Sequence, residues 1–158
     1  MRLATIEHDR TDRCREVLDD LPEWFGIPAS KAAYIAASSH MPMLGWCDER
    51  EFAGFLSLKR HTKFAAEVYV VGVKRKFHRQ GIGRALIDAA AQSCGREGVR
   101  FLTVKTLPPS DPDPHYEATR NFYRAVGFLP VEVFPTFWGP SNPCLLMVRL
   151  LDVATAAS

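Results

Sequence analysis

Apolar and polar positions change their period several times along the chain, and each change marks an element. Arg2–Glu7 reads as a short first strand. From Thr11, a fair N-cap, the apolar residues Cys14, Val17, Leu18 and Leu21 recur at helical spacing until Pro22. Ser30 caps a second predicted helix through the alanine-rich Ala32–Ser38, and Trp24 and Phe25 lie in the turn-prone stretch between the two. Met43–Cys47 and Phe52–Leu58 flank the charged turn Asp48–Glu51 and predict a hairpin, with Ala66–Val73 as a further strand. Gly81–Gly98 reads as a helix with Ile82, Leu86, Ala89, Ala90 and Cys94 on one face, closed by Gly95 or Gly98. Phe101–Thr106 is the next strand. The succession strand, helix, strand from Val70 to Thr106 is a crossover, so its two strands should be parallel. Pro108, Pro109, Pro112 and Pro114 make a stiff irregular loop. A helix follows over Tyr116–Val126, stopped by Gly127. Phe128–Phe134 and Cys144–Leu151 are the last strands, joined by the aromatic loop Pro135–Pro143. Antiparallel hairpins around one crossover imply an α+β layout with a mixed sheet.

Composition narrows this little. A length of 158 residues suits one domain, taken as 1–151, with 152–158 as a flexible tail; no repeat or linker divides it. At 47% hydrophobic and 24% charged the chain is ordinary for a globular protein, and a net charge of +2 does not argue for nucleic acid or a membrane surface. Cys14, Cys47, Cys94 and Cys144 are scattered without a C-x-x-C, which fits free thiols in a reducing compartment. No apolar run reaches spanning length and no leader pattern opens the sequence, so a cytoplasmic location is expected.

Charge becomes informative only locally. Lys74, Arg75, Lys76, Arg79 and Arg84 crowd around Gly81 and Gly83, where a strand runs into a helix. Glycines that allow close backbone approach, followed by the amides of a helix N-terminus, form a cradle for an anion. A magnesium-nucleotide P-loop would need Lys-Ser/Thr after the last glycine, where Arg84-Ala85 stands. A dinucleotide fingerprint would need a small residue at Leu86 and more than one crossover. A plain tight connection with solvated lysines competes, as does a nucleic-acid patch, although only Phe77 is interleaved among the basic residues.

Two motifs together favour the cradle. His78-Arg79-Gln80-Gly81-Ile82-Gly83 resembles the R/Q-x-x-G-x-G/A motif of the GNAT superfamily of acyl-CoA N-acyltransferases. Phe122-Tyr123-Arg124-Ala125-Val126-Gly127-Phe128 resembles that family's second signature, and their order and separation match. The resemblance spans about Met1–Leu151. It implies a strongly twisted, mainly antiparallel sheet of about seven strands, a central splayed parallel pair, and about four flanking helices. It implies acetyl-CoA as co-substrate, no metal, and a pyrophosphate held by the amides of Gln80, Gly81, Ile82, Gly83 and Arg84, with Arg79 and Arg84 adding charge-assisted bonds. It also implies that the main chain at Val71 and Val73 pairs with pantetheine and the thioester carbonyl, the Val71 amide serving as oxyanion donor. Gly72 stands where a bulge would free those groups. Two positions depart from the pattern: His78 replaces Arg or Gln, and Tyr116 stands where the family often has Asn.

Amide formation by acyl transfer needs a neutral amine, yet a lysine-like amine has a pKa of about 10.4, so a base helps; the leaving thiolate is helped by an acid. Tyr123, at the matching motif position, is the candidate acid, with core packing as its alternative role. Glu67 is the candidate base. Alternation puts it on one strand face with Tyr69, Val71 and Val73, at the offset from the glycine motif where the histone-acetylating branch carries its catalytic glutamate. A strand glutamate paired with Lys63 or Arg60 is the alternative. Trp24, Phe25, Tyr34 and Trp138 are candidates for the acceptor pocket or for covering the core edge, and Asp111 and Asp113 for attracting a cation. His8, His40, His61, His78 and His115 show no metal-ligand spacing.

The function expected is N-acetyl transfer to a primary amine of a small molecule, peptide or protein, by direct attack in a ternary complex. No Cys or Ser has an evident activating partner. A non-catalytic CoA-binding or protein-interaction module on the same fold is the other reading. Partners expected are the amine acceptor alone, with no nucleic acid or membrane, in a monomer or homodimer; Cys144–Leu151 is apolar enough for edge pairing with a second copy.

Overall fold

First-turn prolines explain where two of the four helices begin, and a side-chain cap secures one of them. In the computed structural model, which describes residues 2–152, the elements are β1 (Arg2–Thr5), α1 (Arg10–Asp19), α2 (Pro28–Ala37), β2 (Met43–Cys47), β3 (Phe52–Arg60), β4 (Ala65–Val73), a short 3-10 turn (Arg75–Phe77), α3 (Ile82–Arg96), β5 (Phe101–Thr106), α4 (Pro114–Ala125), β6 (Leu129–Phe134) and β7 (Cys144–Leu150). α1 is capped not by Thr11 but by Asp9, which takes the left-handed conformation (φ 57°) that Asp tolerates better than most residues. α2 and α4 both start earlier than expected, because each has a proline in its first turn. Proline there lacks only an N–H that would be orphaned anyway, and its fixed φ suits the helix. Asp113 caps α4, its carboxylate accepting from the His115 amide at 2.9 Å. Gly98 (φ 87°) closes α3 and Gly127 (φ 99°) closes α4. Gly95 lies inside α3, where a Cβ would stand 2.7 Å from the Asp152 carbonyl oxygen.

The sheet runs β1-β2-β3-β4-β5-β7-β6. β1–β2, β2–β3, β5–β7 and β6–β7 are antiparallel. β3 and β4 are neighbours across a connection too short for anything but a hairpin. The parallel pair is β4–β5, as the crossover requires, through Ala65↔Phe101, Ala66↔Leu102 and Glu67↔Thr103. With four helices this is the mixed, mainly antiparallel α+β fold expected. The last strand corrects one expectation: β7 is not an edge. It lies between β5 and β6, with Cys144, Leu145 and Met147 buried. The late edge is β6, whose Leu129, Val131 and Val133 are exposed.

The described residues form two compact units, one of residues up to Lys59 with Val68–Ala90, the other of Arg60–Glu67 with the chain from Ala91 onward. In the first, the helical stripe Cys14, Val17, Leu18 and Leu21 packs on Met43, Phe52, Phe55 and Val70. In the second, alternation buries Leu102, Val104 and Thr106 of β5 with Leu145 and Met147 of β7. No helix among the described residues is long and apolar enough to cross a membrane. Of the tail expected over 152–158, only Asp152 belongs to the described residues.

Candidate active site

In the first unit, β4 carries the candidate cofactor residues toward α3. From Val68 onward its burial alternates: Val68, Val70 and Gly72 are buried, whereas Tyr69, Val71 and Val73 are half-buried. Gly72 has a packing reason to be glycine. A Cβ there would stand 3.0 Å from Val17 Cγ1 and 3.3 Å from Leu21 Cδ1, so its lack of a side chain lets β4 lie close to α1. Gly54 is equally constrained, with its Cβ position 2.7 Å from the Gly72 carbonyl oxygen.

The basic run that follows β4 is largely neutralised. Lys74 Nζ pairs with Glu16 and, at 3.2 Å, with Glu51; Lys76 also pairs with Glu51. Arg75 Nη2 reaches both Glu23 oxygens at 2.7 and 2.6 Å, and its amide donates to Asp20 Oδ2 at 2.6 Å. Burial by itself lowers the Lys74 pKa, but hydrogen bonds from its ammonium to Glu16 and Glu51 outweigh this and raise it. Lys76, then Lys74, hold the Glu51 carboxyl below its ordinary range. Three of the five cations crowded near the glycines in sequence thus serve to tie β4 and the 3-10 turn to acids of α1, the α1–α2 connection and the β2–β3 turn. That weakens the nucleic-acid reading of this run.

The loop beyond has a different character. Arg79 (φ 62°) and Gly81 (φ 80°) both adopt left-handed conformations around Gln80. A non-glycine residue held there is strained, and such strain gathers at ligand loops. Left-handed residues in a turn bring successive amides to one side, the arrangement of backbone nests that hold anions. α3 starts at Ile82, and its first hydrogen bond beyond the loop runs from the Ala85 amide to the Gly81 carbonyl at 3.0 Å. First-turn amides of a helix have no carbonyl within it to bond, and the helix dipole favours negative charge there. Gln80, Gly81 and Arg84 are exposed and Gly83 is half-buried, while Ile82 anchors the turn in the core. His78, at the first motif position, contacts the Val73 carbonyl oxygen through Nε2 at 2.6 Å, and the Trp24 ring meets it edge-on at 6.1 Å.

Three of the four aromatic acceptor candidates, Trp24, Phe25 and Tyr34, lie in this unit. Phe25 packs edge-on against Tyr34 at 5.8 Å, and Tyr34 against Tyr69 of β4 at 5.4 Å. Lys59 Nζ lies 5.6 Å from the centre of the Tyr69 ring. Tyr69 is the link that sequence reasoning placed on the right face but did not count among the acceptor residues.

The second unit holds the proton-handling candidates. Glu67 is 4% exposed. Its Oε1 receives Lys105 Nζ at 2.8 Å and His61 Nε2 at 2.7 Å. The partners considered from sequence look elsewhere: Arg60 pairs with Glu97, and Lys63 lies over the Phe64 ring at 5.0 Å. His61 and Lys105 were missed as site residues. Strand alternation gave a weak signal for Lys105, which shares a β5 face with Thr103, the register partner of Glu67. Tyr123 is buried on α4 between Phe122 and Phe128, each ring centre 5.6 Å away. Trp138, the fourth acceptor candidate, is exposed and packs on Phe137, which in turn faces Lys105 Nζ at 5.4 Å. Asp113 serves α4 as its cap, and the bond from the His115 amide holds its carboxyl below the usual range. At the position where the resemblance expects Asn, burial and then Asp113 and Asp111 raise the Tyr116 phenol. Arg120, buried on α4, donates to the Leu107 and Pro108 carbonyls at 2.9 and 3.1 Å and so holds the start of the proline-rich loop.

Comparison with known proteins bears on the fold and the family. The chain matches the acetyltransferase (GNAT) family over residues 5–128. No curated protein sequence matches it. Among solved structures, a GNAT-family protein from Desulfovibrio desulfuricans superposes with a TM-score of 0.81 at 16% identity, over 94% of this chain and 98% of that one. An aminoglycoside 6'-N-acetyltransferase complexed with coenzyme A gives 0.75 at 17% identity, over 99% and 100% of the two chains. The ribosomal-protein-S18-alanine N-acetyltransferase of Escherichia coli gives 0.74 at 16% identity, over 99% and 97%. At these identities the likeness speaks to fold, and the family rests on the sequence match through both units: the chain belongs to the acetyltransferase (GNAT) family.

Proposed function

We propose that this protein transfers an acetyl group from acetyl-CoA to a primary amine of a small molecule, a peptide or a protein, by direct attack in a ternary complex. The observation that carries the proposal is the pair of left-handed residues at the head of α3, Arg79, which is strained there, and Gly81, which is not. A backbone kept in that conformation suits the pyrophosphate of CoA, with amides of Gln80, Gly81, Ile82, Gly83 and Arg84 as donors and Arg79 and Arg84 as charged partners. In this reading the half-buried β4 face offers main-chain groups at Val71 and Val73 to pantetheine and the thioester. The Val71 amide stabilises the developing oxyanion.

Glu67 takes the acceptor's proton and Tyr123 protonates the departing thiolate. Direct attack is favoured because burial pushes the Cys14 and Cys144 thiols up to about 11 and raises Cys94 too, leaving them poor nucleophiles at neutral pH. Trp24, Phe25, Tyr34 and Trp138 are proposed acceptor contacts, since aromatic faces suit a cationic amine. The structural neighbours act on an aminoglycoside and on a protein alanine, so both acceptor classes belong in a test panel. We further take residues 1–151 to act as one acyltransferase domain, and the free cysteines to suit the cytoplasm.

The test is thiol release from acetyl-CoA with a panel of aminoglycosides, polyamines and peptides. Tyr123→Phe should lower kcat by about 10²-fold with little change in acetyl-CoA binding. Tight acetyl-CoA binding with no thiol release from any acceptor would favour the non-catalytic module.

A further inference from the structure

Glu67 is a buried carboxylate that meets two partners at one oxygen. Lys105 Nζ and His61 Nε2 both meet Oε1, at 2.8 and 2.7 Å. The three groups differ in their access to water: the Glu67 side chain is 5% exposed, Lys105 23% and His61 37%. A base that receives one proton per turnover must also lose it. A carboxyl group so enclosed has little contact with bulk water through which to do so. Imidazole is the side chain suited to this, because it binds and releases protons near neutral pH and has two nitrogens that can act in turn.

We propose that His61 is the proton outlet of Glu67, a relay residue that carries the acceptor's proton from the buried carboxylate to solvent. This rests on Glu67 being the base of the acetyl transfer proposed above. In the step, the acceptor ammonium gives a proton to the Glu67 carboxylate and becomes a neutral amine. The carboxylic acid passes that proton through the Oε1–Nε2 contact to neutral His61, restoring the carboxylate and forming imidazolium. Imidazolium then releases its Nδ1 proton to water, and a flip of the ring exchanges the two nitrogens, returning a bare nitrogen to Oε1 before the next turnover. The amine meanwhile forms its bond to the acetyl carbon and the carbon–sulfur bond breaks. The thiolate takes a proton from Tyr123, which recovers one from the nitrogen of the new amide. The sum is one amide, one thiol and one proton released.

The groups around Glu67 suit this division of work. Lys105, from β5, is held between the carboxylate and the Phe137 ring, 5.4 Å from its centre, and keeps the carboxylate in place. Cys144, from β7, feels the charges of both Lys105 and Glu67, and burial keeps its thiol protonated through neutral pH, so it does not intercept the proton. His61, from the β3–β4 connection, is tied at its backbone, where its amide donates to the Ala65 carbonyl at 3.0 Å.

Two measurements test the relay. In protein carrying 15N-labelled histidine, the His61 ring-nitrogen signals are followed from pH 5 to 9 in wild type and in Glu67→Gln. A shared proton predicts different curves in the two proteins, whether or not an acceptor has been found; superimposable curves would overturn the proposal. With an acceptor in hand, His61→Ala should lower kcat by about 10²-fold, flatten the acid limb of the pH profile and leave KM for acetyl-CoA unchanged. Added imidazole should restore kcat saturably. Undiminished kcat in His61→Ala, or a loss that imidazole does not restore, rejects the outlet role. Absence of turnover in wild type with every acceptor would instead count against the acetyl-transfer reading, leaving the nitrogen titration to decide the His61–Glu67 coupling.

Discussion

The loop proposed as an anion cradle and the Glu67 cluster are built on opposite principles. The cradle relies on backbone: left-handed Arg79 and Gly81, then the first turn of α3. Its neighbouring lysines are engaged by acids, and the chemistry it offers is that of amides. The Glu67 cluster is made of side chains brought together by the sheet. Lys105 stands 38 positions from Glu67 and reaches it because β4 and β5 pair in parallel. Backbone chemistry is local and tolerates many side chains around it. Side-chain chemistry between distant positions fails when any one partner is lost. Perturbing each region should therefore give different signatures.

The largest effect is expected from Glu67→Gln, which keeps the shape and removes the proton acceptor. It should cut kcat by about 10²-fold or more while acetyl-CoA still binds, as steady-state kinetics beside calorimetry would show. Lys105→Met leaves the buried carboxylate without its ammonium. A loss of about 2 kcal/mol in urea unfolding is expected, since an uncompensated buried charge is costly. An unfolding midpoint equal to wild type would mean that the cluster is not the side-chain-dependent region described.

Gly81→Val probes the cradle. A Cβ at Gly81 meets nothing within 4 Å, so the cost comes from its φ of 80° rather than from a clash. Forcing a β-branched residue into that conformation costs about 1–2 kcal/mol, or roughly tenfold in acetyl-CoA affinity by calorimetry. Gly81→Asn should lose much less, because Asn tolerates the left-handed region. Equal losses in the two variants would show that contact rather than backbone conformation governs the loop.

The smallest effect concerns Lys74. Its pKa is raised above 10.5 in the folded state, so its pairing stabilises the protein fully below that pH and is lost as pH climbs through the folded value. Tyr116 and the buried cysteines titrate with the same sign, so the informative quantity is the difference between wild type and Lys74→Met. That difference should shrink between pH 9 and 12 in urea unfolding.

Legibility follows the same line. β2 and β5 carry the boundaries predicted from alternation, and Gly127 ends α4 as its chemistry required. The sequence reading starts the second helix at Ser30 and puts Pro114 in a stiff loop, whereas α2 begins at Pro28 and α4 at Pro114. Within a first turn proline is a starter, and which role applies depends on whether the chain continues as helix. Asp9 was overlooked as a cap because its role rests on a left-handed backbone rather than on a side-chain bond. β7 was taken for an edge because order in the sheet is not encoded in the strand's own pattern. An inner strand shows the same apolar run as an edge awaiting a partner.

The sequence by itself determined the kinds and order of the elements, the single crossover and the likeness to the family, because strand and helix periods and the two motifs are each written in residues close together along the chain. Only the tertiary structure decided that Lys74, Arg75 and Lys76 are spent on acids from α1, the α1–α2 connection and the β2–β3 turn. It also decided that Tyr69 joins the aromatic group and that Glu67 answers to His61 and Lys105 rather than to Lys63 and Arg60. The physical reason is that ion pairs and hydrogen bonds act over a few ångströms. Strand pairing and helix packing choose which distant residues come within that reach.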